Sequence, residues 1–206
     1  RVLPGADRMY PDTDSMPIPL APEHIDNLGK NLPTDVADRL SEFIKLGIPE
    51  DTYHYLLSKN LYPYVKQAIE ELGVEPKSAG KLFGQHLKYV DGHYDAGDGF
   101  TYDKVIELIK FLKDNDLHCP LGKKMLPELY QHPHMDFNSI LTVINFKKRT
   151  KDELFAQIDF LAEKFNQEAI NNTKKNKADW IMGHIRPMAE GNICLTELKS
   201  EIDNRI

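Results

Sequence analysis

The sequence predicts an all-α protein, two small helical subdomains in series after a short extended N-terminal segment. Three observations predict it. Apolar residues recur at helical spacing from about residue 22 nearly to the C-terminus, and no stretch shows the alternation of a half-buried strand. Glycine, proline or capping residues punctuate the periodic runs where helices should start and stop. A hydrophobic fraction of 41% suffices for a modest core, while 28% charged residues marks a chain with much solvated surface. No run of about twenty apolar residues is present, so no membrane span is expected.

The segment Arg8 to Leu20 comes first. Pro11, Pro17 and Pro19 push Tyr10, Met16 and Ile18 out of the helical basin, which makes the segment extended. Such a segment usually closes a sheet or crosses between domains, and the chain begins with Arg1 rather than Met. Residues 1–21 are therefore expected to be the end of a preceding domain. Helices follow. Val36, Leu40, Phe43 and Ile44 form one face, with Thr34 as N-cap and Gly47 as stop. Pro49-Glu50-Asp51 opens a short helix, since proline is tolerated in the first turn and acidic residues suit the positive end of the dipole. Leu61, Tyr64, Val65, Ala68, Ile69 and Leu72 make the next face, ended by Gly73. A longer helix after Pro76 turns Ala79, Leu82, Phe83, Leu87 and Val90 inward, with His86 semi-buried and hydrogen-bonded on the same stripe.

Three glycines and three aspartates interrupt the pattern at 91–99. Read as an EF-hand loop from Asp91, the third position is His93, the sixth Ala96 and the twelfth Tyr102, so the ligand pattern fails and a flexible inter-helix loop is expected. Val105, Ile106, Ile109 and Leu112 resume the helix, and a subdomain boundary is placed near residue 117. This gives a helical spacer over 22–117 and a helical tail over 118–206. In the tail, Pro120 starts a helix carrying Met125, Leu126, Leu129 and Tyr130, and Asp136 caps a short one with Ile140, Leu141 and Ile144. Thr150-Lys151-Asp152-Glu153 has capping-box spacing before Leu154, Ile158, Leu161 and Phe165. A last pair contains Trp180 to Gly183 and Leu198 to Ile202.

Charge separates the two parts. Residues 1–117 carry 13 Lys and Arg against 20 Asp and Glu, whereas residues 118–206 carry 13 against 12. The net charge of −6 therefore does not exclude a polyanionic partner for the second part, because local arrangement sets the field at a contact surface. Its cations are clustered: Lys147, Lys148, Arg149 and Lys151 between two helices, Lys174, Lys175 and Lys177 leading into another, and His184 and Arg186 further along it. Cations at helix entrances can hold phosphates. On these residues alone an ordinary lysine-rich surface is an equal reading.

Other chemistry finds no support. Cys119 and Cys194 match no metal or redox spacing and fit a reduced, cytoplasmic protein. His132-Pro133-His134, with His118 and Cys119, matches no metal spacing, and Pro133 more simply ends a helix. There is no nucleophile elbow and no phosphate-cradling glycine loop, and Glu70 and Glu71 are adjacent on a helix and diverge. No catalytic residue and no metal ligand is assigned. A helix-turn-helix DNA binder lacks its basic recognition helix, so no DNA partner is expected.

Two distant segments together resemble one family. Arg8-Met9-Tyr10-Pro11-Asp12-Thr13-Asp14 with Pro17-Ile18 looks like the junction leaving the catalytic cradle of the B-type and E-type subunits of tRNA-dependent amidotransferases, in a form closer to the E type. Lys177-Ala178-Asp179-Trp180-Ile181-Met182-Gly183-His184-Ile185, with Gly191-Asn192 beyond, resembles the closing helix of the tail shared with YqeY-like proteins. Asn31-Leu32-Pro33 and Leu121-Gly122-Lys123-Lys124-Met125-Leu126 fall between them in the expected order. The resemblance implies part of a glutamyl-tRNA(Gln) amidotransferase, a cytoplasmic ligase that uses ATP and an amide donor. ATP and Mg²⁺ would belong to the cradle, with none in this chain. The partners implied are tRNA(Gln) and, through the cradle, an amidase- or asparaginase-type subunit.

The helical region and tail would hold tRNA by its body, whose A-form surface is bound through phosphates and 2′-hydroxyls. This makes Lys147, Lys148, Arg149, Lys174, Lys175, Lys177 and Arg186 candidate phosphate contacts, and His184 a candidate sugar or base contact. Gly183 would admit either close backbone approach or tight helix packing. Arg8, Tyr10 and Asp12 would fasten the arm to the cradle. Arg186-Pro187 departs from the family pattern, so a kink and a change of path are expected there. The other reading is a helical protein-interaction module that makes no RNA contact.

Overall fold

The computed structural model describes residues 19–30, 32–168 and 173–206, and among them every regular element is helical. The extended segment before Pro19, with Arg8, Tyr10 and Asp12, lies outside the described residues, as does Asn31. The chain divides into two units, Arg1–Asp38 and Arg39–Ile206.

In the first unit α1 (Pro22–Lys30) opens with the His24 and Ile25 N–H groups on the Ala21 carbonyl, and its Ile25 and Leu28 are exposed. Helix α2 (Val36–Lys45) begins at the unit's end. Its start is capped by Asp35, not by Thr34: the Asp35 carboxylate accepts from the Ala37 N–H at 2.7 Å.

The second unit carries α2 onward through α3 (Tyr53–Ser58), α4 (Tyr62–Glu70), α5 (Pro76–Lys81), α6 (Leu87–His93), α7 (Asp103–Asp114), α8 (Pro120–Gln131), α9 (Phe137–Val143), α10 (Lys151–Glu168), α11 (Lys174–Ala189) and α12 (Leu195–Arg205). A 3₁₀ turn, Glu50–Thr52, leads into α3, as the Pro49 signal predicts. One expected face is only partly inward. Phe43 is buried, but Ile44 at the edge of the stripe and Val36, roughly 10 Å before Phe43 along the axis, are exposed. Within the second unit, α2 meets the core through Phe43.

Helix ends explain much of the chain's path. Gly47, at φ +68°, closes α2 with its own N–H on the Ile44 carbonyl and the Ile48 N–H on Phe43, the paired bonds of a Schellman motif. The same pair recurs three times without glycine. Asn60, Asp116 and Asn145 sit at φ +52° to +55°, and the following Leu61, Leu117 and Phe146 bond back to Leu56, Leu112 and Leu141. Asn and Asp tolerate this conformation because their short polar side chains cost least there. In each case the residue after the turn is apolar and folds back onto the core.

Between α5 and α6 the helix takes a π turn, Leu82–His86, without interruption. The reason lies in its neighbour. A Cβ on Gly84 would stand 2.3 Å from Thr52 Cβ, and one on Gly80 2.7 Å from Ile48 Cγ2, so the glycine face presses on the turn before α3. His86 is half-buried here and has no ring hydrogen bond among the described residues, contrary to expectation. Burial first, then Lys123 and Lys81, hold its pKa down.

Three apolar clusters organise the unit. Phe43, Leu56, Leu61, Val65, Phe83 and Leu87 centre the first, which α7 and α8 close with Val105, Ile106, Ile109, Leu126 and Tyr130. The opposite faces of α7 and α8, through Leu108, Leu112, Leu121, Met125 and Leu129, build a second with Ile140 of α9. The third lies wholly within α10–α12: Leu154, Ile158 and Leu161 against Ile181, Ile185, Leu198 and Ile202. The 91–99 segment is pinned rather than loose. The Gly97 N–H donates to the Tyr130 carbonyl at 2.8 Å, and a Cβ there would meet the Gln131 carbonyl oxygen at 2.1 Å.

Candidate nucleic-acid interface

The cations singled out in the sequence lie at the ends of α10 and α11 and in the connection before them. The capping box before α10 forms as predicted: the Glu153 N–H donates to Thr150 Oγ1 at 3.3 Å, and the Thr150 N–H to Glu153 Oε2 at 3.1 Å. It fixes where Lys147-Lys148-Arg149 must sit, directly upstream. That stretch is then held from the far end of α11 by Asn192. Asn192 Oδ1 accepts from the Arg149 N–H at 3.0 Å, while its Nδ2 donates to the Lys147 carbonyl at 3.0 Å and the Met188 carbonyl at 2.9 Å.

Gly191, at φ +93°, makes the clamp possible. A Cβ there would lie 2.9 Å from Leu121 Cβ, and its carbonyl accepts from the His118 N–H at 2.9 Å. Gly191-Asn192 thus joins the α10–α12 cluster to α8 and to the 147–149 connection by backbone approach and hydrogen bonds. The sequence singles out this pair only as part of a resemblance. Its structural role has no periodic or compositional signal, because it depends on what lies 43 to 45 residues away.

The clamp brings some of the predicted residues together. Lys147, Arg149 and Lys124 share the rim of a small depression, about 150 Å³, with Pro187 and Met188. Arg186 stands one residue away on α11, with its Nε donating to Glu190 at 2.9 Å, and Lys124 reaches the same carboxylate at 2.8 Å. Burial raises the pKa of Glu190, but the hydrogen bonds and charges of Lys124 and Arg186 outweigh it and hold the carboxyl below its ordinary value. Lys148 turns the other way. Its Nζ donates to the Asn115 carbonyl at 2.9 Å, where a cation suits the C-terminal end of α7.

Lys174, Lys175 and Lys177 are not part of this group. They occupy the first turn of α11, capped by Thr173, whose Oγ1 accepts from the Asn176 N–H at 3.3 Å. The twelve residue-to-residue rises from Lys174 to Arg186 span roughly 18 Å of helix. His184 lies between, its ring 3.9 Å from that of Trp180 and its Nδ1 bonded to the Trp180 carbonyl at 2.9 Å, which leaves Nε2 outward. Gly183 faces open space, so it is not packed tightly against a neighbouring helix. Helix α11 continues through Pro187 to Ala189. In this last turn the proline removes one bond, the one to the Gly183 carbonyl.

Among the described residues no three His, Cys, Asp or Glu side chains gather as a metal site, and no helix is long and apolar enough to cross a membrane. Cys119 and Cys194 are free thiols. The most elaborate polar cluster lies elsewhere: Asp91 accepts from Tyr130 at 2.8 Å and Tyr55 at 3.2 Å and pairs with Lys59 at 3.0 Å. Its three partners come from α3, its C-terminal turn and α8, so it ties the first cluster together.

Comparison with known proteins finds similarity to E-type subunits. The chain is 24% identical over 217 residues to the E-type glutamyl-tRNA(Gln) amidotransferase subunit of Methanococcus vannielii, a match covering 100% of this chain and 33% of that protein. It is 25% identical over 213 residues to the E-type subunit of Sulfolobus acidocaldarius, covering 99% of this chain and 32% of that protein. The resemblance is to the E type. A match to the E-type subunit of Methanopyrus kandleri, 26% identical over 139 residues, covers 66% of this chain and 21% of that protein. The chain thus spans a third or less of the length of these E-type relatives. No family model matches it, and no solved structure matches it.

Proposed function

We propose that this chain is the tRNA-holding helical and tail portion of an E-type glutamyl-tRNA(Gln) amidotransferase subunit. In the whole subunit, Glu-tRNA(Gln) would be converted to Gln-tRNA(Gln) with ATP, Mg²⁺ and an amide donor, alongside an amidase- or asparaginase-type partner in the cytoplasm. The chemistry would lie in the cradle that precedes these helices, and the helices would fix the tRNA body.

One observation carries the reading: Asn192 uses three hydrogen bonds to set the 147–149 connection on α11, so that Lys147, Arg149, Lys124 and Arg186 cluster in a chain whose net charge is −6. Preset cations spend less entropy on binding than free ones. Lys174, Lys175 and Lys177 support it from the other end of α11. Three cations in a first turn oppose the helix dipole, a local cost that a bound phosphate reverses. Lys148, anchored on Asn115, serves the surface by charge more than by reach, and His184 Nε2 is available to a ribose hydroxyl.

The experiment is a titration of a tRNA(Gln) transcript with the chain between about 50 and 200 mM salt. Log affinity should fall linearly with log salt, and the K174A/K175A/K177A variant should show a shallower slope. Undiminished slope in that variant would remove those three lysines from the interface. Absence of wild-type binding at low salt would favour a protein-docking module.

A further inference from the structure

Beside the clustered cations lies a second cleft, of about 410 Å³, walled by α5 with its π turn, α8, α11 and the start of α12. Five basic side chains line it: Lys81, His86, Lys123, Lys124 and Arg186. Glu190 is the one carboxylate in its lining, and it is already shared between Lys124 and Arg186. Lys81 and Lys123 are exposed and make no hydrogen bond or ion pair among the described residues. They nonetheless act on the same point, since both lower the pKa of the half-buried His86 after burial has done so. Lys124 lines this cleft and the depression beside Lys147 and Arg149, so the two surfaces are continuous.

We propose that this cleft seats the sugar-phosphate backbone of the bound RNA, with Lys81 and Lys123 each on a phosphate and His86 on an adjacent ribose 2′-hydroxyl. The proposal rests on the RNA-binding reading above and extends it to three residues of which two, Lys81 and His86, come from the acidic part of the sequence. Concave surfaces lined by one sign of charge focus the field and concentrate a counter-charged ligand. Here two uncompensated ammonium groups converge on one cleft. A neutral imidazole can both donate to and accept from a hydroxyl, which an ammonium cannot. The 2′-hydroxyl is the group that distinguishes RNA from DNA at such a seat. Among the described residues no Phe, Tyr or Trp lines the cleft, and its excess of cations suits the phosphate backbone better than a base.

The test compares wild type, K81A/K123A and K147A/K148A/R149A in the 206-residue chain, each titrated with a tRNA(Gln) transcript across about 50 to 200 mM salt, with helicity checked by circular dichroism. For K81A/K123A the slope of log affinity against log salt should drop by about two, one per phosphate-contacting lysine. In wild type the His86 ring resonances should shift on adding the transcript and stay in place on adding a DNA hairpin of the same sequence. A wild-type slope in K81A/K123A beside a reduced slope in K147A/K148A/R149A overturns the cleft and leaves the RNA reading standing. Unmoved His86 resonances at saturating transcript overturn it too, whether or not the variant folds. No wild-type binding at low salt overturns both readings.

Discussion

Asn192 and Asp91 are single polar residues on which large parts of this molecule converge. Asn192 satisfies two carbonyls and one N–H drawn from α11 and the 147–149 connection. Asn192→Ala leaves those groups to water or unpaired, at a cost of about 1–3 kcal/mol by chemical denaturation. It should also weaken tRNA binding although the residue carries no charge, which separates positioning from contact. Asp91 makes a pH prediction. Burial raises its pKa, but hydrogen bonds from Tyr130 and Lys59 and the Lys59 charge prevail and hold it below its ordinary value. A carboxyl depressed on folding stabilises the protein above its unfolded pKa, near about 4, and that stability is lost as pH falls through the folded value. Burial first, then the Asp91 bond, push Tyr130 up to about 12. Its contribution is complete below its unfolded pKa of about 10 and is lost as pH rises towards 12. Thermal unfolding across pH should therefore show both limbs. Asp91→Asn should flatten the acid one and Tyr130→Phe the alkaline one.

At the scale of elements, the helices are legible in the sequence and their joints less so. Apolar stripes on α4, α7, α8 and α10 turn inward as the spacing predicts, because a 3.6-residue period needs only local sequence. Gly47 and Gly73 are readable as stops; Asn60 and Asn145 are not, since Asn serves equally as an exposed turn residue and an N-cap. The glycines show what packing adds. Gly84→Ala drives a methyl into Thr52 and should destabilise by about 1–3 kcal/mol. Gly183→Ala meets nothing and should stabilise by roughly 0.5–1 kcal/mol through the unfolded chain. Thermal melts of the two variants should move in opposite directions. Both glycines sit in helices, and their sequence surroundings do not tell them apart.

Across the whole molecule, the clustering of cations seen in the sequence reappears in part as geometry. Lys123 and Lys124 of α8, Arg186 of α11, and Lys147 and Arg149 gather around Glu190 and Asn192, and Lys81 from the acidic part of the sequence joins them. K147A/R149A should therefore weaken tRNA binding most at low salt, and the deficit should shrink as salt screens the remaining cations. Comparing K147A/R149A with K174A/K175A/K177A at two salt concentrations reads the two ends of α11 separately. Equal losses would mean a contact along its length, and unequal ones a contact centred on the better-placed end.

The sequence by itself determined the helical class, most inward faces, the caps at Asp136 and Thr150, and the E-type resemblance. These depend on residues within one or two turns of each other, or on motif order along the chain. Only the tertiary structure decided that Lys147 and Arg149 stand with Arg186 while Lys174, Lys175 and Lys177 stand apart. It alone showed that Lys148 caps α7, that Gly183 packs against nothing, and that Lys81 shares a cleft with Lys123. Those facts are set by contacts between residues tens of positions apart. Side-chain charge can be counted in a sequence, but its distance from another charge is fixed only when the helices pack.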